Sequence, residues 1–220
     1  MDAQKGAQGR EVEIPTEKGP TYGNLAIPDD AGGIVLFAHG SGSGRHSPRN
    51  NFVAGTLRDA GLGTFMMDLL TEEEERVDMR TREFRFDIDL LAKRLALATD
   101  WLNEQDEAGA LETGYFGSST GAAAAIIAAA GRDDIHAIVS RGGRVDLGGD
   151  ALPRFSAPIL MIVGGNDPQV LQMNRDAMER MNAPAELEII EGAGHLFEGP
   201  GELERVSELA AQWFNEHLGA

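Results

Sequence analysis

The stretch from Thr113 to Ala130 constrains the chain most. Thr113-Gly114-Tyr115-Phe116 is short and apolar enough for a buried strand, and Ala122 to Ala130 is a run of Ala and Ile that reads as a helix of small side chains. Between them stands Gly117-Ser118-Ser119-Thr120-Gly121. Strand, sharp turn and helix is the context a nucleophile elbow requires. The turn brings the two backbones so close that a Cβ two residues to either side of Ser119 would clash. The Ser119 hydroxyl is then exposed at the tip, and the Thr120 N–H points into the same space. The chain holds 28 Gly, and chance alone would supply roughly 0.1 copies of the pentapeptide. A Gly-rich turn with an ordinary serine is therefore the reading that the rest of the chain must beat.

Apolar runs alternate with helical patterns along the whole length. Glu11 to Ile14 and Thr21 to Ile27 read as strands across a hairpin-like turn at Gly19-Pro20. Gly33 to His39 is a near-continuous apolar run, as is Ile159 to Val163, which suits strands buried on both faces of a parallel sheet. Gly63 to Met67, Ile135 to Ser140 and Glu186 to Ile190 complete the strands. Ser47-Pro48 is an N-cap and first-turn pair opening a helix to about Ala60, with Gly61 as its stop. Ile88, Leu91, Leu95, Ala98 and Leu102 recur at helical spacing, and helices are also expected over Pro168 to Met181 and Leu203 to Phe214. Leu70 to Arg85, with four consecutive Glu at 72–75, reads as a solvated excursion. The sum is one three-layer α/β domain over residues 11–220, preceded by a flexible tail over residues 1–10.

Composition excludes several classes. Cys is absent, which removes disulfides, thiolate metal sites and a cysteine nucleophile. A net charge of −17 argues against nucleic acid and anionic membranes as partners. Met1 to Arg10 is polar, without the apolar core of a signal peptide, and a cytoplasmic protein is expected. Only Lys5, Lys18 and Lys93 are lysines, so the surface is acidic and Lys-poor. Salt adaptation produces such a surface, and so does a GC-rich genome, the blander source.

A serine hydroxyl needs a base to take its proton and a third group to orient that base. In an open α/β sheet both belong on loops at the carboxyl ends of strands. His195, in Gly192-Ala193-Gly194-His195, follows the last strand and is the candidate base. Asp167, in Gly164-Gly165-Asn166-Asp167-Pro168, is the candidate orienting acid, although Asp before Pro is also a good helix N-cap. Asp146, beyond the strand ending at Ser140, is its rival. Ser, Asp, His is the chain order of an α/β-hydrolase. The second oxyanion donor, beside Thr120 N–H, is expected from His39-Gly40-Ser41-Gly42, with Ser41 N–H as the donor. That loop departs from both glycine-rich phosphate motifs, because Arg45 takes the last glycine position and no Gly-Lys-Ser/Thr follows.

These motifs together resemble the α/β-hydrolase superfamily, and within it the dienelactone-hydrolase-like group. The resemblance spans about residues 11–218 and rests on His39-Gly40-Ser41-Gly42, Gly117-x-Ser119-x-Gly121, Gly165-x-Asp167 and Gly194-His195-Leu196-Phe197. It implies a sheet of about eight mainly parallel strands. Dienelactone hydrolases proper use Cys where this chain has Ser119, which points to a more general esterase. No long insertion follows Ser140, so no large helical cap is expected. The group's namesake grips a substrate carboxylate with arginines, and Arg141, Arg144 and Arg45 are the candidates here, with His39 and Gly40 also on the substrate side. The ordinary alternative is surface arginines paired with nearby acids such as Asp146.

The expectation is a serine hydrolase acting on small carboxylic esters, needing no cofactor, as a monomer or homodimer. Acyl transfer to another acceptor, thioester cleavage and amide cleavage fit the same residues, because acceptor choice lives in pocket shape. A non-catalytic hydrolase-like fold that binds ligands is the alternative from another class.

Overall fold

The computed structural model describes residues 9–219. The apolar runs become the strands β1 (Arg10–Ile14), β2 (Thr21–Ala26), β3 (Gly33–Ala38), β4 (Gly63–Met67), β5 (Glu112–Ser118), β6 (Ile135–Arg141), β7 (Ile159–Gly164) and β8 (Ala185–Ile190). They form one sheet of eight strands in the order β1-β2-β4-β3-β5-β6-β7-β8. β2 runs antiparallel to β1 and to β4, and every later pairing is parallel. The carboxyl ends of β3 and β5 to β8 therefore open on the same edge of the sheet, which gathers their loops. Most of the tail expected over residues 1–10 lies outside the described residues, and Arg10, already in β1, pairs with Leu25 of β2.

Six helices cover the faces among the described residues: α1 (Pro48–Asp59), α2 (Glu72–Thr81), α3 (Ile88–Asn103), α4 (Thr120–Ala129), α5 (Pro168–Met178) and α6 (Glu202–His217). Side chains alternate across β3 as a strand demands. Ile34, Leu36 and Ala38 join the core under α3 and α4, while Val35 and Phe37 join the core under α1 and α6. Phe214 of α6 lies over the glycine at position 114, where a Cβ would stand 2.7 Å from its ring. α4 is buried almost all round, which only its small side chains allow. The N-terminus of α1 is capped by Ser47, whose side chain accepts the Asn50 N–H, with Pro48 in the first turn.

The charged stretch after Leu70 departs from the expectation of a solvated excursion. It forms α2, opened by a capping box in which Thr71 and Glu74 each bond the other's backbone N–H. Glu74 is buried and takes the Arg94 guanidinium at 2.7 Å, from α3. Asp78 is buried as well. It accepts the N–H groups of Phe84 and Arg85 at 2.9 Å and Arg85 Nε at 2.6 Å, tying down the segment that leads into α3. The acidic run is half surface and half anchor. The segment after β6 folds into a 3₁₀ turn over Val145–Ala151, which the sequence did not signal.

Candidate active site

β5 ends at Ser118, and Ser119 stands between it and α4 with φ 50° and ψ −119°. A non-glycine residue rarely adopts this backbone, which costs on the order of 1–3 kcal/mol and persists only where surroundings enforce it. The enforcement is visible. A Cβ on Gly117 would stand 2.4 Å from the Ala122 Cα, and one on Gly121 would stand 2.1 Å from the Ala38 carbonyl oxygen. The Ser119 N–H donates to the Arg141 carbonyl at 3.2 Å, and the Ser119 carbonyl accepts the Arg144 N–H at 3.0 Å. The serine is thereby held to β6 on one side and raised at the carboxyl edge of the sheet.

His195 follows β8 in a glycine-rich loop, and its Nδ1 lies 2.7 Å from Asp167 Oδ2. A carboxylate only accepts, so Nδ1 carries a hydrogen, and in the neutral ring Nε2 is the nitrogen with the lone pair. Asp167, after β7, divides its oxygens between two tasks. Oδ2 holds His195, and Oδ1 caps α5 by accepting the Val170 N–H at a long 3.5 Å. The short contact goes to the imidazole. Asp146 is turned elsewhere, accepting Arg144 through both oxygens at 2.9 and 2.8 Å. Gly142, at φ 53°, lies against His195, where a Cβ would stand 3.5 Å from Nδ1.

Ser119 and His195 line one cleft of about 250 Å³, together with Gly40, Ser41, Arg49, Asn50, Ser118, Arg141 and Leu196. Gly40 abuts the serine, since a Cβ there would stand 3.2 Å from Ser119 Cβ. Among the described residues, neither Ser41 N–H nor Thr120 N–H has a protein acceptor. Two free donors beside the half-buried Ser119 can stabilise a developing oxyanion.

The substrate-side candidates separate sharply. Arg45 is bound to Asp68 at 3.1 Å and to Glu11 at 2.6 Å, and does not line the cleft. Arg144 belongs to Asp146 and is likewise outside it. His39 is buried with both ring nitrogens engaged, so it does not face substrate. Arg141 does line the cleft. It is 8% exposed, its Nη1 is buried with no partner among the described residues, and its guanidinium lies 5.9 Å from the Phe116 ring centre. Burial, reinforced by the nearby Arg49, pulls its pKa down to about 10. Sequence reasoning missed Asn50 and Ser118. The Ser118 hydroxyl donates to Asn50 Oδ1 at 3.0 Å, joining α1 to the elbow. Only burial marks Asn50, and a helix sequence carries no signal for that.

Among the described residues, no group of three or more His, Asp or Glu is placed to hold a metal ion. Among the described residues, no helix is long and apolar enough to cross a membrane.

Comparison with known proteins agrees with the fold. A crystal structure of dienelactone hydrolase from Anabaena variabilis superposes with a TM-score of 0.93 at 53% identity, covering 96% of this chain and 99% of that one. Est1E from Butyrivibrio proteoclasticus shares the fold at a TM-score of 0.77 and 16% identity, over 96% of this chain and 98% of its own. Two curated relatives from Mycobacterium tuberculosis bear the provisional name phosphoribosyl transferase; each is 50% identical over 209 residues, 94% of this chain and 46% of theirs. The chain thus spans about half the length of these relatives. The model of the dienelactone hydrolase family matches residues 23–218, and the chain belongs to that family.

Proposed function

We propose that the protein is a serine hydrolase that cleaves small carboxylic esters through an acyl-enzyme. The observation that carries the reading is Ser119 on a strained elbow, sharing one cleft with a histidine whose Nδ1–H is held by Asp167. In this reading His195 Nε2 takes the Ser119 proton as Oγ bonds to the ester carbonyl carbon. The tetrahedral oxyanion is received by the N–H groups of Ser41 and Thr120. As the intermediate collapses, the carbon–oxygen bond to the alcohol breaks, and His195 returns the proton to the departing alkoxide. Water then attacks the acyl-serine with the same base, releasing the acid and regenerating Ser119. The hydrolase name of the Anabaena relative, which aligns over nearly its whole length, supports the reaction class.

The test is a panel of p-nitrophenyl esters of varied acyl length, with fluorophosphonate labelling of the folded protein. Turnover and labelling that both vanish in Ser119→Ala are expected. Full turnover in that variant sinks the proposal, and a folded wild type that neither turns over nor labels points to a binding protein.

Arg141 carries a proposal about substrate charge. A buried guanidinium that meets no carboxylate among the described residues carries a desolvation cost that a bound anion would offset. We expect Arg141→Ala to lose far more turnover on an ester bearing a carboxylate than on a neutral one, and an equal loss on both removes the idea.

A further inference from the structure

We infer that His39 is a positioning residue, a neutral imidazole that clamps the Gly40–Ser41 peptide so that the Ser41 N–H faces the reacting oxygen. This rests on the acyl-transfer reading above. His39 ends the strand β3 side of the oxyanion loop and is 7% exposed. Its Nε2 accepts the Leu69 N–H at 3.0 Å, and its Nδ1 lies 2.9 Å from the Gly40 carbonyl oxygen. A backbone N–H can only donate, so Nε2 is the unprotonated nitrogen. The hydrogen of the neutral ring is then on Nδ1 and is given to the Gly40 carbonyl. Burial, opposed by that bond and by the Asp68 charge, holds the ring below its ordinary pKa and keeps it neutral.

The Gly40 carbonyl and the Ser41 N–H belong to one planar trans peptide and point in opposite directions. Whatever fixes the carbonyl therefore aims the N–H. Two donors fix it, His39 Nδ1–H and the Ser43 N–H at 3.2 Å. The Ser41 N–H is turned away from His39, and Gly40 and Ser41 line the cleft beside Ser119. Leu69 lies just beyond β4, so the second ring nitrogen ties this loop to the end of the adjacent strand. The imidazole is a strut between a fixed strand end and one movable peptide.

The two ring nitrogens can be replaced separately. The Asn Nδ2 lies as many bonds from Cα as His Nδ1, and the Gln Oε1 as many as His Nε2. His39→Asn keeps a donor for the Gly40 carbonyl and loses the Leu69 tie; His39→Gln keeps the tie and loses the clamp. Steady-state hydrolysis of p-nitrophenyl acetate is measured for wild type and both variants, beside their melting temperatures. We expect His39→Gln to lose about 10²-fold or more in kcat with KM little changed, the loss typical of one oxyanion donor. His39→Asn should stay within about tenfold of wild type. A Gln variant as active as the Asn variant at matched melting temperature overturns the clamp. Long-range ¹H–¹⁵N correlation on the wild type needs no variant and should find His39 protonated at Nδ1 alone; the opposite tautomer or a charged ring at neutral pH also overturns it. A wild type inert toward p-nitrophenyl acetate and unlabelled by fluorophosphonate removes the hydrolase reading and this inference with it. An active wild type with the Asn and Gln order reversed removes the clamp alone.

Discussion

Gly121 is where the elbow has least room, and replacing it by Ala tests whether close approach rather than hydroxyl chemistry shapes the site. The added methyl would stand 2.1 Å from the Ala38 carbonyl oxygen, 2.6 Å from the Ala38 carbonyl carbon and 2.7 Å from the His39 carbonyl oxygen. Ordinary contacts begin near 3.4 Å, so the obstacle must retreat by about 1 Å, and a gap or overlap of that size is felt strongly in a packed interior. All three atoms are main chain, with no rotamer through which to escape. Overpacking typically costs ~1–3 kcal/mol, and a backbone obstacle places this substitution near ~3 kcal/mol. At about 2–4 °C per kcal/mol for a domain of this size, the melting temperature should fall by ~6–12 °C. The retreating main chain leads directly into Gly40 and Ser41, and a misplacement of about 1 Å at a reacting group costs on the order of 10²-fold in rate. Calorimetry and p-nitrophenyl acetate kinetics, run beside Gly32→Ala, make the comparison. Gly32 has nothing within 4 Å of its missing Cβ and no positive φ. Its replacement should be neutral or stabilising by up to ~1 kcal/mol. A Gly121→Ala protein melting within about 2 °C of wild type, with kcat within about threefold, would falsify the steric account.

Asp167→Asn keeps a good helix cap, so the melting temperature should barely move, while kcat falls by about 10⁴ as the imidazole loses its enforced tautomer; a large thermal loss would mean that the α5 cap is the main role of Asp167. Glu74→Ala should cost ~3–5 kcal/mol by urea unfolding, because it strands the buried Arg94 charge. The double replacement Glu74→Leu with Arg94→Met should recover most of that loss, and failure to recover would place the energy in the capping box instead. His39 has a folded pKa below its unfolded value of about 6.5, so its contribution is present above that pH and is lost as pH falls toward the folded pKa. Stability should therefore drop more steeply below about pH 6.5 in wild type than in His39→Asn. Parallel pH profiles of the two proteins would refute the buried neutral ring.

Much of the fold was legible in short stretches. β3 and β7 announce themselves as apolar runs because a strand covered on both faces needs no polar side, and β4, β6 and β8 fall within two residues of their expected limits. α1 follows from Ser47-Pro48 and Gly61, which act through neighbouring backbone atoms. α2 was not legible as a helix by charge. Its four glutamates look solvated, and the partner that lets Glu74 go inside, Arg94, lies 20 positions away. Thr71-x-x-Glu74 was the local signal, a capping box inside an apparent loop.

The site divides in the same way. Gly117-x-Ser119-x-Gly121 specifies the elbow only partly through local sterics: a Cβ on Gly117 would meet Ala122, five positions on, whereas one on Gly121 would meet the Ala38 carbonyl, far away in the chain. The chain order of Ser119, Asp167 and His195 places all three beyond strand ends. Which arginine stays unpaired could not be read from the chain. Arg45 finds Asp68 across 23 positions, Arg144 finds Asp146 two positions on, and Arg141 finds no carboxylate among the described residues. His39 shows the limit most plainly, since its neighbour in sequence suggests substrate while Leu69, 30 positions on, makes it a buried strut. Sequence alone determines what depends on local sterics and on the periodicity of apolar side chains. Burial and charge pairing belong to the tertiary structure, because both are set by atoms that the chain brings near only once it has folded.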